Sequence, residues 1–143
     1  MGHSRRVDRR TPPLIGERLS WLVAVLVGLV VLADGLAKNF YIEPTSDALS
    51  EAAVGVRLIW ASSVVLVVAS AYAWWRGAPA WSWLLVLSAP VVCGGLMALW
   101  SESLFPQLAF LVVGPVAGLA ALVGALLRWR PRNPASRAVR PAR

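Results

Sequence analysis

The chain has 143 residues, room for one domain, and 58% of them are hydrophobic while only 15% are charged. With a mean hydropathy of +0.65 it is too apolar for a soluble domain of this size, which would lack the polar surface to hide its long apolar runs. The net charge of +7 does not indicate nucleic acid, because its arginines sit at the ends and connections without the interleaved aromatics of a recognition module. The composition therefore points to an all-α integral membrane protein.

In chain order, residues 1–18 form a basic segment with Arg5, Arg6, Arg9, Arg10 and Arg18. A first apolar run covers about residues 19–37 and closes on "VVLADGLAKNF", which holds Asp34 and Lys38. Three more spans follow it, so it is expected to be a retained span and not a cleaved signal peptide. The connection "IEPTSDALSEAAVGV" contains Pro44 and then acids at helical spacing. It predicts a second helix beginning near residues 45–47, with Asp47 and Glu51 near the positive end of its dipole. The second span runs over about residues 58–75, the third over 79–100 and the fourth over 106–127. Each is near the roughly 20 residues that cross a hydrocarbon core of about 30 Å. "RGAPA" and "SESLF" are tight turns, so the spans are predicted to form an up-down-up-down bundle. Residues 128–143 carry three prolines and six arginines without apolar periodicity, and are expected to be a disordered basic tail.

Orientation follows from the basic residues. Four spans place both termini and the "RGAPA" turn on one side, which collects 12 of the 14 basic residues and leaves only Lys38 and Arg57 on the other. The positive-inside rule makes that side cytoplasmic, and the arginine-rich composition suggests a bacterial inner membrane. The aromatic residues agree. Trp21, Tyr72, Trp74, Trp75, Trp81, Trp83 and Trp129 fall near one boundary, and Phe40, Tyr41, Trp60, Trp100 and Phe105 near the other. Indole and phenol rings favour these interfaces because they are apolar bodies with one polar end. The basic termini are expected to attract anionic lipid or an acidic partner.

Three sets of residues stand out. With the cytoplasmic edge near Leu19, Asp34 lies roughly 22 Å along the first helix, just inside the outer edge, and Lys38 lies one turn higher. Acid before base at i, i+4 is the favourable helical order. Arg57 starts the neighbouring span at similar depth. Asp34, Lys38 and Arg57 are expected to form an outer-edge clasp between the first two helices, or alternatively a substrate or ion access site. In the fourth span "GPVAG" places Gly114 and Gly118 one turn apart, and Ala121 and Ala125 extend the same small-residue face. Such a face lets another backbone approach, either within the bundle or on a partner or second copy. Pro90 and Pro115 each remove a helix hydrogen bond, marking kinks or hinges.

The interior offers little chemistry. No acid, base or histidine lies at mid-span, and the one histidine, His3, is far from any span. Metal and haem sites need clusters of His, Cys or carboxylate, and neither such a cluster nor a nucleophile with a base is evident. Cys93 is the one cysteine and reads as a small apolar core residue. No cofactor and no enzymatic activity are expected. The preferred reading is an accessory or structural membrane subunit that packs against other membrane helices. The alternative is a small oligomeric transporter or pore, exporter-like or holin-like. In size and number of spans the chain resembles small multidrug resistance exporters. Those carry a membrane-embedded glutamate in the middle of helix one, whereas this chain has Asp34 near the end of the span and shares no motif with them.

Overall fold

A computed structural model describes residues 15–39, 46–100, 104–127 and 129. It contains four helices, α1 (Ile15–Lys38), α2 (Ser46–Trp75), α3 (Ala80–Leu99) and α4 (Phe105–Leu126), each long and apolar enough to cross a membrane. The arginine-rich segments at residues 1–14 and 130–143, and the connecting acids Glu43 and Glu102, lie outside the described residues.

Local chemistry sets the helix boundaries. α1 begins four residues before the predicted span, so Glu17 sits in its first turn, where the helix dipole favours an acid. α2 begins at Ser46, inside the expected window, with Asp47 in its first turn. Its 30 residues extend roughly 45 Å, longer than a hydrocarbon core is thick. It stops at Gly77, whose φ of 80° suits a residue without a β-carbon. The Ala78 amide donates to Ala73 O (2.9 Å) and the Gly77 amide to Trp74 O (3.2 Å), the paired bonds of a Schellman cap. α3 and α4 each open at a proline, Pro79 before the first turn of α3 and Pro106 within the first turn of α4.

The buried positions reveal the packing mode. In α2 they are Ala52, Gly55, Ile59, Ser62, Leu66, Ala69 and Ala73, separated alternately by three and four residues, with Ser70 beside them. The same alternation runs through Trp21, Val25, Gly28, Leu32 and Gly35 in α1, Ser82, Val86, Ala89 and Cys93 in α3, and Gly114, Ala117, Ala121 and Gly124 in α4. A period of 3.5 keeps one seam of each helix on its neighbours and belongs to left-handed bundles. Each helix packs on its neighbour in sequence, and α1 closes on α4. Trp21 and Glu17 of α1 meet the end of α2 and the α2–α3 turn at one end of this four-helix bundle, here named the Trp21 end. At the opposite end, Gly35 of α1 lies against Gly55 of α2.

Between hydrocarbon and protein there is no hydrophobic driving force, so these helices are held by close packing and hydrogen bonds. At the Gly35–Gly55 crossing two helix backbones come into close contact. A β-carbon at Gly55 would stand 2.7 Å from Gly35 O, and one at Gly35 would stand 2.9 Å from Gly55 O. Glycine is required at both because the obstructing atoms are backbone.

Candidate functional site

The interior of the bundle is closed. Val25, Leu32, Leu66, Val86, Ala89, Cys93, Ala117 and Ala121 have no solvent exposure. The buried hydroxyls of Ser62 and Ser70 donate to their own helix, to Ile59 O (3.0 Å) and Leu66 O (2.8 Å). Such back-bonding satisfies a serine's donor without a partner helix. Ser82 likewise donates to Pro79 O (3.0 Å). Among the described residues no cluster of His, Cys, Asp or Glu could hold a metal ion.

Among the described residues the charged groups are confined to the two ends. At the Trp21 end, Arg76 in the α2–α3 turn pairs with Glu17 of α1. The hydrogen bond to the Glu17 carboxylate raises the Arg76 pKa further above its ordinary value, so this guanidinium is permanently charged. Arg18 Nη1 donates to Leu127 O (3.2 Å), one of the carbonyls that α4 leaves unpaired at its end. Beside them Trp21 donates its indole N–H to Ala69 O (2.9 Å) and meets Trp129 edge to face, with centroids 5.4 Å apart. Trp129, assigned by sequence to the tail, is buried and donates to Gly124 O (2.8 Å). At the Gly35 end, Gln107 of α4 donates to Leu36 O (3.2 Å), and Asn39 donates to Met97 Sδ (3.3 Å).

The structure brings together two of the three expected clasp residues. Lys38 Nζ lies 2.7 Å from Asp34 Oδ2, an i, i+4 pair on the exposed surface of α1. Such a pair contributes a few tenths of a kcal/mol. Arg57 is exposed and forms no ion pair among the described residues. Gly55 faces α1, and two further residues rotate the helix by about 200°, which turns Arg57 away from α1 and outward. The expected three-residue link between α1 and α2 is thus replaced by the glycine crossing, and the Asp34–Lys38 pair stays within one helix.

The small-residue face of α4 is turned into the bundle. Gly114 and Ala121 are buried, Ala125 packs against the core, and a β-carbon at Gly118 would lie 3.7 Å from Leu29 of α1. The tightest contact of α4 is Gly124, where a β-carbon would meet Ser82 Cβ of α3 at 2.6 Å. Gly124 was not singled out by sequence, although it continues the 3-4 alternation from Gly114 through Ala117 and Ala121. Pro90 is buried on α3 and Pro115 is exposed on α4, both within continuous helix.

A recess lies on the side of the bundle, between α2 and α3 in the half toward the Gly35 end. It encloses about 440 Å³ and is lined by Val56, Trp60 and Ser63 on one wall and by Pro90, Gly94 and Ala98 on the other. Its origin is the glycine pair of α3, since a β-carbon at Gly94 or Gly95 would have no neighbour within 4 Å. Comparison with protein families, curated proteins and solved structures returns no match for this chain. The functional assignment therefore rests on the bundle itself, whose charged groups among the described residues lie at its ends and whose lateral recess is apolar apart from Ser63.

Proposed function

We propose that this chain is a non-catalytic accessory subunit of a membrane assembly, a small bundle that packs laterally against other membrane helices. The observation that supports this reading is the closed, apolar interior, in which the buried serine hydroxyls donate within their own helices and, among the described residues, no acid, base or histidine is enclosed. A transport path through a single bundle needs polar or titratable groups at depth. The most membrane-proximal acid, Asp34, is half exposed and already paired with Lys38. Affinity purification from native membranes in mild detergent is expected to recover a stoichiometric membrane partner. A chain that purifies alone and monomeric would remove the support for this reading. The rival, an oligomeric transporter or pore, predicts solute flux in liposomes that Asp34→Asn abolishes; the accessory reading predicts that this variant leaves proteoliposome permeability unchanged.

The orientation proposed is that of a bacterial inner-membrane protein with both termini in the cytoplasm, supported by the distribution of its arginines. The Trp21 end, with Arg18 and Arg76, would then face the cytoplasm. Single cysteines introduced at residues 2 and 141 in a Cys93→Ala background are expected to resist a membrane-impermeant maleimide in intact cells and to react after permeabilisation. Labelling in intact cells would reverse the assignment.

A further inference from the structure

We propose that the lateral recess between α2 and α3 is a site for one anionic phospholipid, which lays an acyl chain against Gly94 and Gly95 and places its phosphate on Arg57. Four observations support this occupant. The first is size. The recess, about 440 Å³, is a short local slot covering two turns of α2, and a segment of a single hydrocarbon chain is slender enough to enter it between the two helices.

The second is position along the membrane normal. From Val56 to Ser63 on α2 and from Pro90 to Ala98 on α3, the recess extends roughly 10–12 Å. That is less than one leaflet of a hydrocarbon core about 30 Å thick. Pro90, ten residues into α3, closes it near the middle of the bundle, and it opens toward the Gly35 end. A chain entering from the leaflet at that end would fit, and one from the opposite leaflet would not reach it.

The third is charge. Arg57 lies 18 residues before Trp75, roughly 27 Å along α2, which places its guanidinium at the headgroup edge when the Trp21 end marks the other boundary. It precedes Trp60 by three residues, so the two side chains are neighbours on the helix surface, and Trp60 forms one wall of the recess. Asp34 and Lys38 satisfy each other, and Asp47 and Glu51 lie more than one turn from Arg57 on α2. Among the described residues no carboxylate pairs with this exposed guanidinium, and its place at the outer end of an apolar slot is complementary to a phosphate carrying an acyl chain. The fourth is the lining itself. The walls are apolar apart from Ser63, and Trp60 is 70% exposed on the outer rim, placed to cover the side of a bound chain.

The test uses the purified full chain in detergent, offered phosphatidylglycerol and phosphatidylcholine of matched acyl composition, with retained lipid counted by native mass spectrometry. The chain is expected to retain one phosphatidylglycerol in preference to phosphatidylcholine. Arg57→Gln should reduce that preference about fivefold, the effect of removing one cation at a membrane surface, while leaving phosphatidylcholine retention unchanged. Gly95→Leu should abolish retention of both lipids, because its β-carbon has no neighbour within 4 Å and the rest of the side chain extends into the slot that the acyl chain would occupy. Gly94→Leu provides a second filled slot, and circular dichroism confirms that each variant keeps its helices. Should both filled variants lose helix, the Arg57→Gln comparison decides alone. No headgroup preference in the parent chain, an unchanged preference in Arg57→Gln, or full lipid retention in a folded Gly95→Leu would each overturn the proposal. A lipid-free dimer dissociated by Gly95→Leu would overturn it in favour of a second copy in the recess.

Discussion

Replacing Gly55 with alanine is expected to destabilise the bundle by about 1–3 kcal/mol, and replacing it with leucine to separate α1 from α2. The β-carbon alone would stand 2.7 Å from Gly35 O, 3.1 Å from the Asn39 amide nitrogen and 3.2 Å from Lys38 Cβ. Two of these obstacles are backbone atoms of the neighbouring chain segment, so no rotamer change relieves them. The helices must move apart, and every contact along their shared seam loosens with them. Because lipid competes equally for apolar surface, that lost packing is not offset by a hydrophobic term. Reversible unfolding in mixed micelles measures the effect. Gly94→Ala and Gly95→Ala serve as controls on a helix of similar character. Nothing lies within 4 Å of either added carbon, and each is expected to be neutral or to gain up to about 1 kcal/mol from helix propensity. Equal behaviour of Gly55→Ala and Gly95→Ala would refute the close crossing.

That contrast also shows what sequence could and could not reveal. The four helices were legible because their apolar runs have bilayer length and because glycine, proline and acid mark their boundaries. The start of α2 near Ser46 and the turn at Gly77 are of this kind. The inward face was much harder to read. In a soluble helix the buried stripe is apolar and the rest polar, but here the lipid-facing side is as apolar as the seam. Leu29 is buried and Leu26 exposed, and nothing in their chemistry separates them. The remaining signal is residue size at a 3-4 alternation, which "GPVAG" suggested for one helix. Pairing Gly35 with Gly55 requires the register of two helices joined by a connection of unknown geometry. Arg57 was assigned to the same clasp by depth alone, and depth does not determine azimuth. The pairing of Glu17 with Arg76 was missed for a related reason: both were placed at the same boundary, with no information on which helices were adjacent there.

The largest loss from a single truncation is expected at Trp21, where alanine should cost about 3–5 kcal/mol. By sequence Trp21 and Trp129 belong to the same interfacial belt as Trp74, Trp75 and Trp81. The structure divides that group. Trp74, Trp75 and Trp81 are exposed on the outer surface, whereas Trp21 and Trp129 are 4% and 3% exposed and face each other inside the bundle end. Trp21 reaches α2 through its hydrogen bond to Ala69 O and approaches Gly124 of α4, whose β-carbon position is 3.9 Å from its ring. Truncation therefore opens a cavity at a point where three helices meet, next to the Glu17–Arg76 pair. Trp21→Phe separates the contributions. It retains most of the packing and loses the indole donor, so about 0.5–1.5 kcal/mol is expected for the bond. A double-mutant cycle of Trp21→Leu and Trp129→Leu, each of which removes a ring, tests whether the two act together, with a coupling of about 0.5–1.5 kcal/mol expected for an edge-to-face pair of indoles. Zero coupling, together with a small effect of Trp21→Ala, would mean that these indoles serve the membrane interface and not the bundle. A large effect with clear coupling would mean that Trp129, just past the end of α4, is the latch that fixes the last helix to the first.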